Sequence, residues 1–207
     1  SIGQYLGSYA KLYRATGDER LRSKALDLFY AWAECIDTLP ALASMGTYMY
    51  DKMLGGLLDL YEFMDLRETE KYIQRITDQA EESFRTDIPR DGLQDERMLG
   101  QSEWDTLPEN LYRAYMLLGD TRYLRFASTW LYPHLWDRLA RGDDRIGPRH
   151  AYSHVNSLSS AARAYMVTED PKYLATICEG YRVITEKHTY ATGGYGPAET
   201  LFGEDPG

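Results

Sequence analysis

The segment YAKLYRATGDERL, residues 9–21, contains the pattern that decides the fold. One amphipathic helix ends at a turn with an acidic residue, and a second amphipathic helix begins there. Four such segments occur along the chain: YAKLYRATGDERL (9–21), LLDLYEFMDLRET (57–69), LYRAYMLLGDTRYL (111–124) and AARAYMVTEDPKYL (161–174). A repeat of about 50 residues is typical of stacked helical units. We therefore predict an all-α chain built from four tandem helix hairpins.

The turns between the paired helices carry residues suited to ending one helix and starting another. Gly17 and Gly119 can take the left-handed conformation that ends a helix. Asp18, Asp120 and Asp170 can cap the following helix through its free N–H groups. The predicted helices span residues 1–16, 18–37, 47–64, 66–85, 104–118, 120–140, 151–168 and 170–188.

Composition and charge exclude several classes of function. The chain has 207 residues and a formal net charge of −9. Because no run of Lys or Arg is longer than two, we expect no nucleic-acid partner. Charged residues interrupt every apolar stretch, so we expect no membrane span. The chain has no basic segment followed by an apolar one, which argues against a signal peptide and favours a cytoplasmic location.

The two cysteines, Cys35 and Cys178, form neither a disulfide framework nor a CxxC metal motif. Cys35 fits a helical stripe with Ala25, Leu28 and Trp32, and Cys178 fits a similar stripe on the last helix. We therefore predict that both thiols are buried in the core.

The long connections alternate with the short turns, so an up-down arrangement gathers them at one end. They span residues 38–46, 87–103, 141–150 and 189 onward. Long loops on a rigid scaffold commonly carry binding and catalytic residues. The polar and aromatic side chains that we predict to bind substrate at this end are Gln4, Tyr48, Asp51, Trp104, His154, Asn156 and Tyr195.

Each of these residues also has a purely structural interpretation. Glu103 and Asp105 could be first-turn helix charges, His154 could be a satisfied buried imidazole, and Trp104 could be a packing residue. No HExxH or CxxC motif accompanies the histidines, so we predict no metal site in this chain. The segment TGGYG at 192–196 neither follows a strand nor opens a helix, which argues against a phosphate loop.

The segment HTYATGGYGPAE, residues 188–199, resembles the β-L-arabinofuranosidases of glycoside hydrolase family 127. The resemblance covers essentially the whole chain. Its other segments are GQYLGSYAKLYRATGDERL (3–21), YMYDKMLGGLLDLY (48–61), EWDTLPENLYRAYMLLGD (103–120) and HVNSLSSAARAY (154–165).

The resemblance implies an (α/α)6 barrel, the α/α-toroid fold, that binds sugar at its long-loop end. Residues 1–207 would be an incomplete barrel and a partial catalytic domain. The family's general acid/base is a glutamate after the TGG tract, which corresponds to Glu199, with Glu204 as the second choice. His154 and Asn156 match the family's H-x-N positions on the substrate side. Gln4 and Asp51 replace histidines of many relatives, which bears on the identity of the sugar.

The resemblance also implies a cysteine nucleophile held on zinc by further cysteines and a glutamate. That cysteine cluster is expected beyond Gly207, together with two further hairpins or another chain that covers the open edges. We therefore expect the 207-residue chain to be inactive alone. For the full-length protein we expect an acid role for Glu199, with partial burial against Tyr195, Leu201 and Phe202 favouring its protonated form. In the 207-residue chain alone, Glu199 could instead be a solvated loop charge.

Two other functions compete with an L-arabinofuranosidase. One is a different α/α-toroid carbohydrate enzyme, such as a polysaccharide lyase or a hydrolase of unsaturated glycosides. The other is a non-catalytic helical-repeat module that binds a protein through its concave face. For the L-arabinofuranosidase and for the other α/α-toroid carbohydrate enzyme, the expected partner is a carbohydrate substrate.

Overall fold

The computed structural model describes residues 1–84, 103–147 and 149–201, and these residues form nine α-helices and no β-strand. Short 3₁₀ helices occur at Pro40–Ala43, Trp104–Thr106 and Pro197–Glu199. The predicted all-α class is therefore confirmed. In chain order the α-helices are α1 (Ile2–Thr16), α2 (Glu19–Thr38), α3 (Thr47–Met64), α4 (Thr69–Ser83), α5 (Leu107–Leu118), α6 (Thr121–Ser128), α7 (Pro133–Ala140), α8 (Ala151–Thr168) and α9 (Pro171–Lys187).

The helices divide between two compact units, each with its own packed hairpins. In the first unit, α1 packs against α2 and α3, and α3 packs against α4. In the second unit, α5 packs against α6 and α8, and α9 packs against α7 and α8. Each unit therefore contains two consecutive hairpins, as the repeat predicts. Among the described helices, every one is too short or too polar to serve as a membrane span.

The predicted turn chemistry is present at the hairpin connections. Gly17 and Gly119 adopt left-handed backbone conformations, with φ of 69° and 76°. The carboxylates of Asp18, Asp120 and Asp170 each accept a hydrogen bond from the backbone N–H two residues later, at 2.8–2.9 Å. These caps satisfy N–H groups that a helix start leaves without an intrahelical acceptor.

Inside the first unit, α1 and α3 approach so closely that only glycine fits at their contact. A Cβ atom on Gly56 would lie 2.2 Å from the carbonyl oxygen of Gly3, and one on Gly3 would lie 1.9 Å from the carbonyl oxygen of Lys52. At the same interface, the Lys11 ammonium pairs with the buried Asp59 carboxylate at 2.8 Å. The glycines therefore set the distance between the two helices.

The helix predicted over residues 120–140 is wrong, because the structure has two helices there, α6 and α7. Pro133 begins α7, and a proline lacks the N–H that a continuous helix would need. It also restricts the preceding residue, and Tyr132 accordingly leaves the helical region with φ −115° and ψ 64°. The break turns the fully buried Tyr132 side chain toward α8, where it contacts His154.

The predicted burial of the cysteines is also wrong, because both Cys35 and Cys178 are exposed. The core face of α2 contains Ala25, Phe29 and Ala33, so it shares Ala25 with the predicted stripe but has Phe29 and Ala33 where Leu28 and Trp32 were predicted. Cys35 instead lies beside Trp32 in the wall of an apolar pocket of the first unit. The core face of α9 is displaced in the same way, since its buried residues are Tyr173, Thr176, Gly180, Val183 and Ile184.

Candidate active site

The glycine-rich segment after α9 folds back onto the start of α8. The Leu201 N–H donates to the carbonyl of Arg149 at 2.8 Å, and Thr200 forms an antiparallel β-bridge with His150. Gly196 has φ of 69°, and a Cβ atom at this position would lie 2.4 Å from the methyl group of the first residue of α8. The glycines therefore allow the close backbone path that brings the Glu199 turn to the helix end.

Glu199 lies on a strained turn and faces solvent. Ala198 and Glu199 both have left-handed backbone conformations, with φ of 49° and 61°, which cost energy in residues other than glycine. The Glu199 side chain is 77% exposed, as the alternative of a solvated loop charge predicts for this chain, and its partial burial in the full-length protein stays a prediction. The buried position in this segment belongs to Leu201, which is 2% exposed. Phe202 and the alternative acid Glu204 lie outside the described residues.

An imidazole faces the Glu199 carboxylate. The Nε2 atom of His150 lies 3.7 Å from Oε2 of Glu199. His150 is the N-cap of α8, and its Nδ1 accepts a hydrogen bond from the Ser153 N–H at 3.4 Å. The Ser153 hydroxyl lies 3.2 Å from the same nitrogen. The loop before α8 and the loop after α9 thus bring a histidine and a glutamate together.

His154 is buried beneath this pair and bonds to protein atoms through both ring nitrogens. Its Nδ1 lies 2.7 Å from the carbonyl oxygen of His150, and its Nε2 lies 3.2 Å from the Tyr132 hydroxyl. Because a carbonyl only accepts, the hydrogen bonds assign the proton to Nδ1 and make Nε2 the acceptor. Burial, together with the nearby charge of Arg149, lowers the pKa of His154 from 6.5 to about 4. The imidazole is therefore neutral at physiological pH.

Trp104 supports this network from the start of the second unit. It is 2% exposed, and its ring packs edge-on against Tyr132 with 4.7 Å between the ring centroids. A chain of contacts thus leads from Trp104 through Tyr132, His154 and His150 to Glu199. The predicted convergence of Trp104, His154 and Glu199 at one end holds within the second unit.

The other predicted site residues of the second unit are more accessible. Asn156 is half-buried on α8, and Tyr195 is 43% exposed on the loop after α9. His154 and Asn156 lie two positions apart on one helix, so their side chains leave it in directions about 160° apart. They therefore lie on different faces of α8, although their sequence motif groups them.

The first unit contains the remaining predicted site residues. The Gln4 amide oxygen accepts hydrogen bonds from Ser1 and belongs to a capping box at the start of α1. The Asp51 carboxylate is buried and pairs with the Lys52 ammonium at 2.9 Å, and that ammonium lies 5.2 Å from the centre of the Tyr48 ring. Their predicted roles toward a substrate stay predictions.

Comparison with known protein families identifies the domain. The model of the GH127 catalytic domain, described as β-L-arabinofuranosidase, matches residues 26–206. The chain belongs to this family. Glycoside hydrolase family 127 (GH127) has a helical-barrel catalytic domain, which accounts for the repeated hairpins. A search of the curated proteins gave no match to the chain.

Zinc, which the resemblance to GH127 implies, does not fit the described part of the chain. Within residues 1–84, 103–147 and 149–201, no three His, Cys, Asp or Glu side chains are grouped so that they could hold a metal ion. The histidine and glutamate at the start of α8 supply only two such groups near each other, His150 and Glu199. We therefore assign no part of the chemistry described below to zinc.

Two residues of the candidate site, Tyr132 and His150, are not among the substrate-binding residues predicted from the sequence. Tyr132 could have been found from the proline that follows it, since Pro133 signals a helix break. His150 lies in the long connection 141–150 that the sequence places at the site end, but its capping role was not predicted, because histidine is not among the usual N-caps. Their contacts with His154 and Glu199 depend on folding and have no signal in the sequence.

Proposed function

We propose that the protein is a glycoside hydrolase that releases L-arabinofuranosyl residues and uses Glu199 as its general acid/base. The family match supports the reaction class. The observation that carries the residue assignment is the position of Glu199, an exposed carboxylate on a strained turn held against the start of α8. Asp51 and Asp105 are 2% exposed, which makes them poorer candidates for contact with a substrate.

In the proposed reaction, the enzyme's nucleophile forms a bond to the anomeric carbon while the bond from that carbon to the glycosidic oxygen breaks, and the Glu199 carboxyl group donates its proton to the departing oxygen. Without this proton the leaving group would depart as an unstable alkoxide. The resulting carboxylate then takes a proton from the water molecule that attacks the anomeric carbon, and the bond between that carbon and the nucleophile breaks to release the sugar and the free nucleophile. Glu199 thereby returns to its starting protonation state.

We further propose that the nucleophile lies beyond Gly207, as the family resemblance implies, and that the 207-residue chain alone is inactive. Zinc is proposed on the same basis, with ligands outside the described residues. Tyr195 and Asn156 are the proposed sugar contacts of the second unit. The exposed Tyr195 ring can stack on the apolar face of a sugar, and an amide can exchange hydrogen bonds with sugar hydroxyls.

The test is hydrolysis of aryl β-L-arabinofuranosides by the full-length protein and by its Glu199→Gln variant. Turnover by the Glu199→Gln variant should be orders of magnitude slower than turnover by the wild type when the leaving group needs a proton. Glu169→Gln is the matched control, because Glu169 is also an exposed glutamate with left-handed backbone (φ 57°) but follows the other end of α8.

Near-normal turnover by the Glu199→Gln variant would refute the assignment. Release of unsaturated uronate products, in place of arabinose, would favour a lyase. Binding of sugar or protein without any turnover by the full-length protein would favour the helical-repeat binding module.

A further inference from the structure

The capping role of His150 determines which of its ring nitrogens carries a proton. Its Nδ1 receives the Ser153 backbone N–H, and a backbone N–H can only donate. Nδ1 must therefore keep a free lone pair to serve as the cap. In the neutral imidazole the proton is then on Nε2, the nitrogen that faces Glu199. The helix end thus presents an N–H donor, not a lone pair, to the carboxylate.

The backbone contacts of two segments fix the positions of the His150 and Glu199 side chains relative to each other. The β-bridge between His150 and Thr200 and the hydrogen bond from Leu201 to Arg149 flank the pair on both segments. The left-handed conformations at Ala198 and Glu199 are maintained between these contacts. Strained backbone of this kind persists only where the surrounding contacts impose it, and it is common at functional sites.

Among the described residues at the start of α8, the other ionisable groups are Arg149, Tyr152 and His154. His154 is buried and neutral, since its pKa lies at about 4. The Arg149 side chain is 6% exposed and donates to the carbonyl of Ile146, and the guanidinium keeps its charge at every pH used in an assay. The Tyr152 ring lies edge-on to the His150 ring, 6.1 Å between centroids. The group at this helix end that lies within 4 Å of the Glu199 carboxylate is therefore the His150 ring, through its Nε2 atom.

We propose that His150 is a positioning residue for Glu199, whose carboxylate its Nε2–H dipole faces at 3.7 Å, a separation longer than a hydrogen bond. The inference rests on the proposed acid/base role of Glu199. A donor beside the carboxylate stabilises its ionised form, which is the form that accepts a proton from water in the second step.

The test replaces His150 by asparagine in the full-length protein. An asparagine side chain can cap Ser153 but is too short to present an N–H at the position of Nε2. His134→Asn is the matched control, because His134 is an exposed histidine on α7 in the same unit. His150→Ser, which also retains a cap, serves as the second variant if the asparagine variant does not fold.

The first measurement is the pH dependence of kcat/KM on a substrate with a poor leaving group. The alkaline midpoint of the profile should move up by about half a pH unit to one unit in His150→Asn. It should not move in His134→Asn. The second measurement follows the Glu199 carboxyl carbon by NMR as the pH is varied, and its titration midpoint should move in the same direction.

Unchanged midpoints in both measurements would overturn the proposal, and so would a lower kcat without any movement of the profile, since that indicates a merely structural role. The proposed function has a separate test in Glu199→Gln. If that variant stays active, the acid/base assignment fails, whereas the NMR titration still reports whether His150 acts on the Glu199 carboxylate.

Discussion

The buried imidazole of His154 should make the stability of the second unit depend on pH. Its neutral form accepts from the Tyr132 hydroxyl and donates to the His150 carbonyl. Protonation would place a second N–H on Nε2, against the Tyr132 hydroxyl, and a charge in a site that is 9% exposed. Replacing His154 by glutamine removes the titration while keeping a polar side chain in the site.

The size of the effect follows from the lowered pKa. The folded value is about 4 and the ordinary value is 6.5. Between pH 6.5 and about 4, the unfolded chain binds a proton at His154 that the folded protein does not. The free energy of unfolding is therefore highest above pH 6.5 and falls as the pH is lowered. At 1.36 kcal/mol per pKa unit, this difference corresponds to about 3 kcal/mol. Burial also lowers the pKa of His188, but that contribution is shared by the wild type and the variant.

Urea unfolding at about pH 7.5, 6 and 4.5 checks this prediction, with tryptophan fluorescence as the signal because three of the four tryptophans lie in the second unit. The His154→Gln substitution should lower the free energy of unfolding by about 1–3 kcal/mol at the highest pH, because the glutamine side chain makes imperfect hydrogen bonds in this site. The wild type should then lose about 2–3 kcal/mol more than the variant on acidification. Equal losses in both proteins would refute a buried, neutral His154.

The packing and exposure of particular side chains lead to two further predictions. Gly56→Ala should destabilise the first unit by about 2–4 kcal/mol, because its methyl group meets backbone. Gly180→Ala meets only side-chain ends and should stay within about 1 kcal/mol of wild type in the same denaturation assay; equal effects would contradict this reading. Cys35 and Cys178 should react with a thiol reagent in the native protein nearly as fast as in urea, since both are exposed, and protection of both would be the contrary result.

The hairpin architecture was predictable because the signals that define it are local. Gly17, Asp18 and their counterparts act within one turn of chain, and the structure uses them as predicted. The core faces were harder to predict, because an amphipathic helix offers two overlapping stripes. On α2 the stripe with Cys35 and the stripe with Phe29 both have helical spacing, and only packing against neighbouring helices distinguishes them.

The location of the site was more predictable than the state of its side chains. The alternation of long and short connections placed residues 141–150 and 189 onward at one end, and the structure brings Glu199 to the start of α8 there. Exposure of Glu199 and burial of His154 depend on which side of the turn and helix faces the core. The family motif linked His154 with Asn156, but helix geometry separates their side chains.

The central claim, that Glu199 supplies the proton to the leaving group, is tested most directly by a series of aryl β-L-arabinofuranosides that differ in leaving-group basicity. With the full-length wild type, log(kcat/KM) should depend weakly on the pKa of the phenol, because the acid protonates the departing oxygen. In Glu199→Gln the same plot should fall steeply, with near-normal rates only for the most acidic phenols. Parallel plots for the two proteins would contradict the account.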